Sequence, residues 1–174
     1  MSKTILAVLL LAIPVLLYYN YASAPRQNDA EMPTGLHPSV EIGRDQLLQK
    51  TAKIGITIRI TEDFRSMDEQ DELYAQGRTD SGSIVTHARG GESFHNYGLA
   101  IDFALLTPNG NLIWDMEYDG NGNAKSDWLE VVKIAKQLGF EWGGDWDEFK
   151  DYPHLEMSFG LTFRDLQNGE RPPQ

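Results

Sequence analysis

From Ile5 to Tyr19 the chain is apolar at every position except Pro14, with Lys3 before the run and Ala22-Ser23-Ala24 after it. A positive residue, an apolar stretch and a small-residue site form the layout of a secretory signal. Pro25 would directly follow the cut, which disfavours cleavage, and 4–24 is long enough to cross a bilayer at roughly 20 residues per span. The alternative is therefore an uncleaved anchor. Lys3 on one side, with Asp29 and Glu31 on the other, orients the rest of the chain outward. Residues 1–24 are thus expected to be a signal peptide or membrane anchor, and 25–34, rich in Pro, Gln, Asn and Asp, a linker. Residues 35–174 form one folded domain. An extracytoplasmic location, in the periplasm or cell envelope, follows from either alternative.

Within that domain the pattern alternates between helical and strand periods. A helix is expected after Pro38, with Val40, Leu47, Leu48 and Ala52 on its inner side. Ile54, Ile56, Ile58 and Ile60 alternate as a strand with one shared face. Met67 to Gln76 suits a helix ended by Gly77, with Leu73 and Tyr74 inward. Asp80 to Glu92 is a Gly- and Ser-rich loop. Tyr97 to Leu106 reads as a second strand, Thr107 to Asn111 as a turn, and Leu112 to Trp114 as the hairpin partner. Trp128 to Leu138 predicts a helix with Leu129, Val132, Ile134 and Ala135 apolar, closed by Gly139. Leu155 to Phe159 gives a last strand. Few strands with hairpin-like turns, interleaved with helices, predict an α+β domain with a small antiparallel sheet.

Composition narrows the chemistry. The 174 residues are 41% hydrophobic, enough for a core, and carry a net charge of -11, which excludes a phosphate backbone as partner. There is no cysteine, so thiol nucleophiles, disulfides and zinc–thiolate sites are excluded together. A metal site must be built from carboxylates and the four histidines, His37, His87, His95 and His154.

The segment from Ser93 to Phe103 is the informative one. In a strand, Leu99, Ile101 and Phe103 take one face, and Ala100, Asp102 and Ala104 the other. A bare carboxylate between two alanines on a sheet face needs compensation. A cation supplies it, and so would an arginine such as Arg59 or Arg65. His95 precedes the strand, and Gly98 permits the turn that lets His95 and Asp102 converge. Further on, Asp151-Tyr152-Pro153-His154 places a second imidazole at the start of a strand with a carboxylate three residues before it. Catalytic zinc takes three N or O ligands and keeps a fourth position open. His95, Asp102 and His154 supply such a set, and Asp151 is placed to act as general base. His37 and His87 lack carboxylate companions and are expected to be non-ligands.

Two further motifs carry open readings. Asp119, Asn121, Asn123, Asp127 and Glu130 match most of a calcium-loop spacing, though Ala124 stands where glycine is expected and no helix clearly enters. The opposing reading, which the pattern favours, makes Asp127 a helix N-cap and Glu130 the far side of a capping box. The stretch Trp142-Gly143-Gly144-Asp145-Trp146 suits a substrate groove and a core turn about equally.

Ser93-x-His95-x-x-Gly98-x-Ala100-x-Asp102 with Asp151-x-x-His154 resembles the zinc peptidoglycan peptidase family of VanY-type D,D-carboxypeptidases and L-alanyl-D-glutamate endopeptidases. The likeness extends to Ile60 through Ser66, Glu69-Gln70, Leu73 through Thr79 and Gly139 through Trp146, and covers 36–159. It is closest to the endopeptidase branch, to which an aspartate at Asp151 also points. The resemblance implies a D-Ala-D-Ala carboxypeptidase-like fold, a single Zn²⁺ on His95, Asp102 and His154, and Asp151 as catalytic base. It further implies that Arg65 polarises the scissile carbonyl, against a plain ion pair with Glu62, Asp63 or Glu69, and that Gln70 and Ser93 line the substrate site. The implied partner is the peptidoglycan stem peptide. A D-alanyl-D-alanine carboxypeptidase and a non-catalytic wall-binding module that keeps its zinc are the rival readings. Retention of both Asp151 and Arg65 disfavours the module.

Overall fold

The computed structural model describes residues 30–173, and the 1–24 segment with linker residues 25–29 lies outside the described residues. Among the described residues, no helix is long and apolar enough to cross a membrane.

Helix α1, Pro38–Lys53, starts where the His37 ring accepts from the Ser39 amide and Pro38 supplies a preset φ. Its buried residues are Val40, Gly43, Leu47 and Thr51. Leu48 is only half-buried and Ala52 exposed, so the inner stripe is rotated from the expected one. The cause is Gly43, where an added Cβ would come within 2.8 Å of the Met157 and Phe140 side chains. Ile54 caps the helix, with its amide bonded to Thr51 O, and Gly55 at φ +81° turns the chain. Strand β1 is therefore Ile58–Glu62 rather than beginning at Ile54.

Ser66 and Glu69 form a reciprocal capping box that starts α2, Met67–Ala75. Its fully buried residue is Gln70, while Leu73 and Tyr74 are half-buried. A 3₁₀ turn, Phe94–Tyr97, replaces the first residues of the expected second strand, and Gly98 closes it at φ +67°. A Cβ on Gly98 would lie 2.2 Å from Gly35 O, so only glycine fits there. Strand β2 follows at Ala100–Leu106, then β3, Leu112–Ile113. Helix α3, Asp127–Gln137, buries Trp128, Val131, Val132 and Ala135, while Leu129 points outward. The chain finishes with β4, Glu141–Trp142, a 3₁₀ turn at Gly143–Asp145, β5, His154–Glu156, and α4, Phe163–Gln167.

The sheet runs β1-β2-β5-β4, with β3 also on β2, and every pairing is antiparallel. Helices α1 and α3 pack together. Phe103 meets Trp128 of α3 at a ring-centroid distance of 4.6 Å, which places the core on that face. Burial of Ile101, Phe103, Leu105 and Leu155 anchors β2 and β5, the two strands that carry the site.

Candidate active site

Strand register sets the first contact of the site. Asp102 of β2 pairs directly with His154 of β5. His154 Nδ1 lies 3.2 Å from Asp102 Oδ1, and His95 Nε2, from the 3₁₀ turn, lies 3.3 Å from the same oxygen. One ligand atom from each of the three residues falls within 4.8 Å of the others, the one such group of three among the described residues. Asp102 bonds these two imidazoles rather than Arg59 or Arg65. Each ring is also fixed from behind. His95 Nδ1 sits 2.6 Å from the Asp63 carbonyl, which requires it to donate and turns Nε2 toward Asp102. His154 Nε2 lies 2.8 Å from Glu156 Oε2, which leaves Nδ1 turned toward Asp102. Two buried imidazole nitrogens, each ring with an outer partner, and a carboxylate oxygen fit a catalytic zinc.

Glu156 is a residue that sequence reasoning left without a role. It is buried, and its only signal was position: two residues after His154 on one strand, hence on the same face. Glu156→Ala is expected to weaken zinc binding by about 10–100-fold, read by competition with a chelator.

The electrostatics are those of a cation site. Burial pushes the Asp102 carboxyl up, but hydrogen bonds from His154 and His95 and their charge outweigh it and hold the group well below the usual range. For His154, burial acts downward and is outweighed by hydrogen bonds to Asp102 and Glu156, which raise it to about 9. Asp151 is pushed up, by burial first and then by the charge of Asp102.

A cleft of about 720 Å³ opens over this group, with Arg65, Ser93, Asp151, Trp146 and Phe149 among its lining residues. Asp151 is held by its amide to Gly143 O, and a Cβ on Gly143 would sit 2.5 Å from Asp151 O and 3.1 Å from the His154 Cβ. The Trp-Gly-Gly-Asp-Trp stretch thus divides its labour. Trp142 is buried, with Nε1 donating to Tyr152 O, whereas the Trp146 ring faces His154 across the cleft at 5.2 Å.

Arg65 forms an ion pair, with Glu62, and also reaches the cleft. Its Nη2 is 3.0 Å from Glu62 Oε2, and Nη1 donates to Gln70 Oε1 at 2.7 Å, while the side chain still lines the cleft. Gln70 differs from expectation. It is fully buried, absent from the cleft lining, and donates to the Ala88 carbonyl, so it positions Arg65 instead of lining the site. His87 is exposed at the cleft and lies outside the His-Asp-His group, and His37 caps α1. In the 119–130 loop, Ser126 caps α3 through the Leu129 amide; Asp127 is not the cap, and Glu130 bonds Asn121 and Asn123 instead of closing a box.

A family model described as D-alanyl-D-alanine carboxypeptidase matches residues 86–157, the span that holds His95, Asp102, Asp151 and His154. The chain is 68% identical over 129 residues to the peptidoglycan L-alanyl-D-glutamate endopeptidase CwlK of Bacillus subtilis (strain 168), covering 74% of this chain and 77% of that protein. Among solved structures, the L-Ala D-Glu endopeptidase ChiX of Serratia marcescens aligns with a TM-score of 0.51 at 23% identity, covering 76% of this chain and 85% of ChiX. A mutant of the vancomycin-resistance D,D-pentapeptidase VanY in complex with Zn(II) aligns at 0.50 and 15%, covering 82% and 86%. These two likenesses concern the fold; the identity to CwlK reaches further. The chain belongs to the zinc peptidoglycan peptidase family that unites D-alanyl-D-alanine carboxypeptidases with L-alanyl-D-glutamate endopeptidases.

Proposed function

We propose that this chain hydrolyses the L-alanyl-D-glutamate bond of peptidoglycan stem peptides, outside the cytoplasm, with Zn²⁺ held by His95, Asp102 and His154. The observation that carries the proposal is the 68% identity to CwlK over three quarters of either chain. The convergence of the three ligand atoms beneath an open cleft supports it. The 1–24 segment serves export or anchoring in this reading.

When bound, zinc supplies Lewis acidity and lowers the pKa of water in its open position toward neutral. Asp151, deprotonated, takes a proton from the attacking water and returns it to the leaving amine. Its Gly143 tether keeps it on the cleft wall. Arg65 is aimed at the scissile carbonyl. Glu62 and Gln70 fix its guanidinium in advance, so little reorganisation is needed as charge develops on the oxygen. Trp146 and Phe149 supply an apolar wall to the cleft for the peptide.

Purified stem-peptide muropeptides incubated with the enzyme and analysed by mass spectrometry test the bond. Cleavage between L-alanine and D-glutamate is expected. Loss of a terminal D-alanine alone would assign the carboxypeptidase reaction instead. No product from a zinc-loaded sample would leave the binding-module reading.

A further inference from the structure

Phe159 holds a backbone conformation that its side chain does not favour. Its φ is +53°, in the left-handed region where a bulky residue is an outlier, and Gly160 follows at φ +77°. Burial does not account for it, because the ring is 40% exposed. Nor is the ring loose. It rests against the His37 imidazole at a centroid distance of 5.1 Å. That imidazole is fixed in turn: Nδ1 accepts from the Ser39 amide, and Nε2 donates to the Pro173 carbonyl. A strained residue that keeps an aromatic ring exposed and propped points to a function for the ring.

The ring forms one wall of a groove of about 450 Å³, in which Ser39, Glu141 and Ser158 supply the polar side chains. Glu141 Oε1 accepts from the Ser158 hydroxyl, and the Ser158 oxygen accepts from the Gly160 amide. Glu141 is exposed, and among the described residues its Oε2 has no partner. No arginine, lysine or histidine lines the groove, so an anion would meet a carboxylate and no counter-charge. A neutral sugar suits it better. The C–H face of a sugar ring packs on an aromatic face, and its hydroxyl and amide groups donate to a carboxylate, which only accepts.

We propose that this groove binds the glycan strand from which the stem peptide hangs, so that the chain cuts wall-attached stems in preference to released peptides. The proposal rests on the peptidase reading above and extends it to what the enzyme holds beyond the cut bond.

Continuity with the cleft supports it. Glu156 and Phe163 line the zinc cleft, while 157–160 line the groove. One short connection therefore has the cleft at both ends and the groove along its middle. Glu141 pairs with Glu156 across β4 and β5, which puts the two side chains on one face of the sheet. The span then selects the occupant. Phe159 lies five residues after His154, at most about 17 Å away at roughly 3.3 Å per residue. The L-alanine before the scissile bond covers only about 3.5 Å. What reaches Phe159 on that side of the cut lies beyond alanine, and in peptidoglycan the alanine nitrogen is joined to an amino-sugar of the glycan. That junction is an amide, so the sugar brings no negative charge to Glu141.

The test gives the zinc-loaded full chain one stem peptide in two forms, free and attached to a glycan oligomer. KM is expected to be about fivefold lower for the attached form, with similar kcat. Phe159→Gly removes the ring and suits the left-handed backbone, so the fold is kept. In that variant the difference between the two forms should vanish, with KM for the free peptide unchanged. Phe159→Tyr, which keeps the aromatic face, should retain the difference. A tetramer of N-acetylglucosamine supplies a readout independent of cleavage. Saturation-transfer NMR should show it bound to the wild type and lost from Phe159→Gly. Equal KM for both forms in the wild type, cut at the same bond, would overturn the glycan site and leave the peptidase reading standing. So would tetramer binding that Phe159→Gly does not reduce. Failure to cut either form, with Phe159-dependent tetramer binding intact, would uphold the groove and overturn the peptidase reading instead.

Discussion

Asp151→Asn is expected to lower kcat on stem peptides by about 10³-fold while zinc content stays unchanged. The substitution keeps the volume and the tether to Gly143 O, so the cleft wall stays in place and only the basicity is lost. Burial, and next the charge of Asp102, raise the Asp151 pKa above that of a free aspartate, near 3.9. A base works when deprotonated. In the zinc-loaded enzyme the cation beside Asp151 opposes that rise, so activity is present above the Asp151 pKa of the loaded site and lost as pH falls through it, which gives the pH–rate profile its acid limb. In Asp151→Asn the residual rate should lose this limb. Kinetics across pH on one zinc-analysed preparation measures both. Undiminished hydrolysis would remove Asp151 from the role of base.

The three candidate ligands were legible in the sequence because strand periodicity is local information. Alternation around Asp102 put it on a face with two alanines, and Gly98 marked the turn that returns His95 to it. What periodicity could not give is register. The pairing of Asp102 with His154 depends on how β2 and β5 slide past one another, and burial of Ile101 and Leu155 fixes it. The strand boundaries were less legible. Ile54 and Ile56 continue the alternation of β1, yet a helix cap and a left-handed glycine claim them first. Gln70 and Glu156 carried no local signal of their roles, since a polar residue looks the same whether it faces substrate or supports a neighbour. Only the packing of α2 against the 86–88 segment showed that Gln70 is turned inward to Arg65.

His154→Ala is expected to lose zinc and activity together, with no rescue by added metal, whereas wild-type enzyme stripped by a chelator should recover when zinc is restored. The reason lies in the charges His154 manages. It bridges Asp102 and Glu156, and those hydrogen bonds, prevailing over its burial, raise it to about 9. At neutral pH the metal-free site therefore holds a proton on His154, and that proton must leave before Nδ1 can accept a metal. Below about pH 9 each zinc bound releases one proton from this ring, so apparent zinc affinity should fall by about tenfold per pH unit on acidification and level off above it. Glu156→Ala removes one of the two acceptors that raise the ring, so the bend in this profile should move to lower pH even as affinity drops. A chelator competition series across pH on wild type and both variants measures all three effects. Full metal content in His154→Ala would show that the cation is held elsewhere, and the cleft chemistry built on Asp102 and His95 would lose its third ligand.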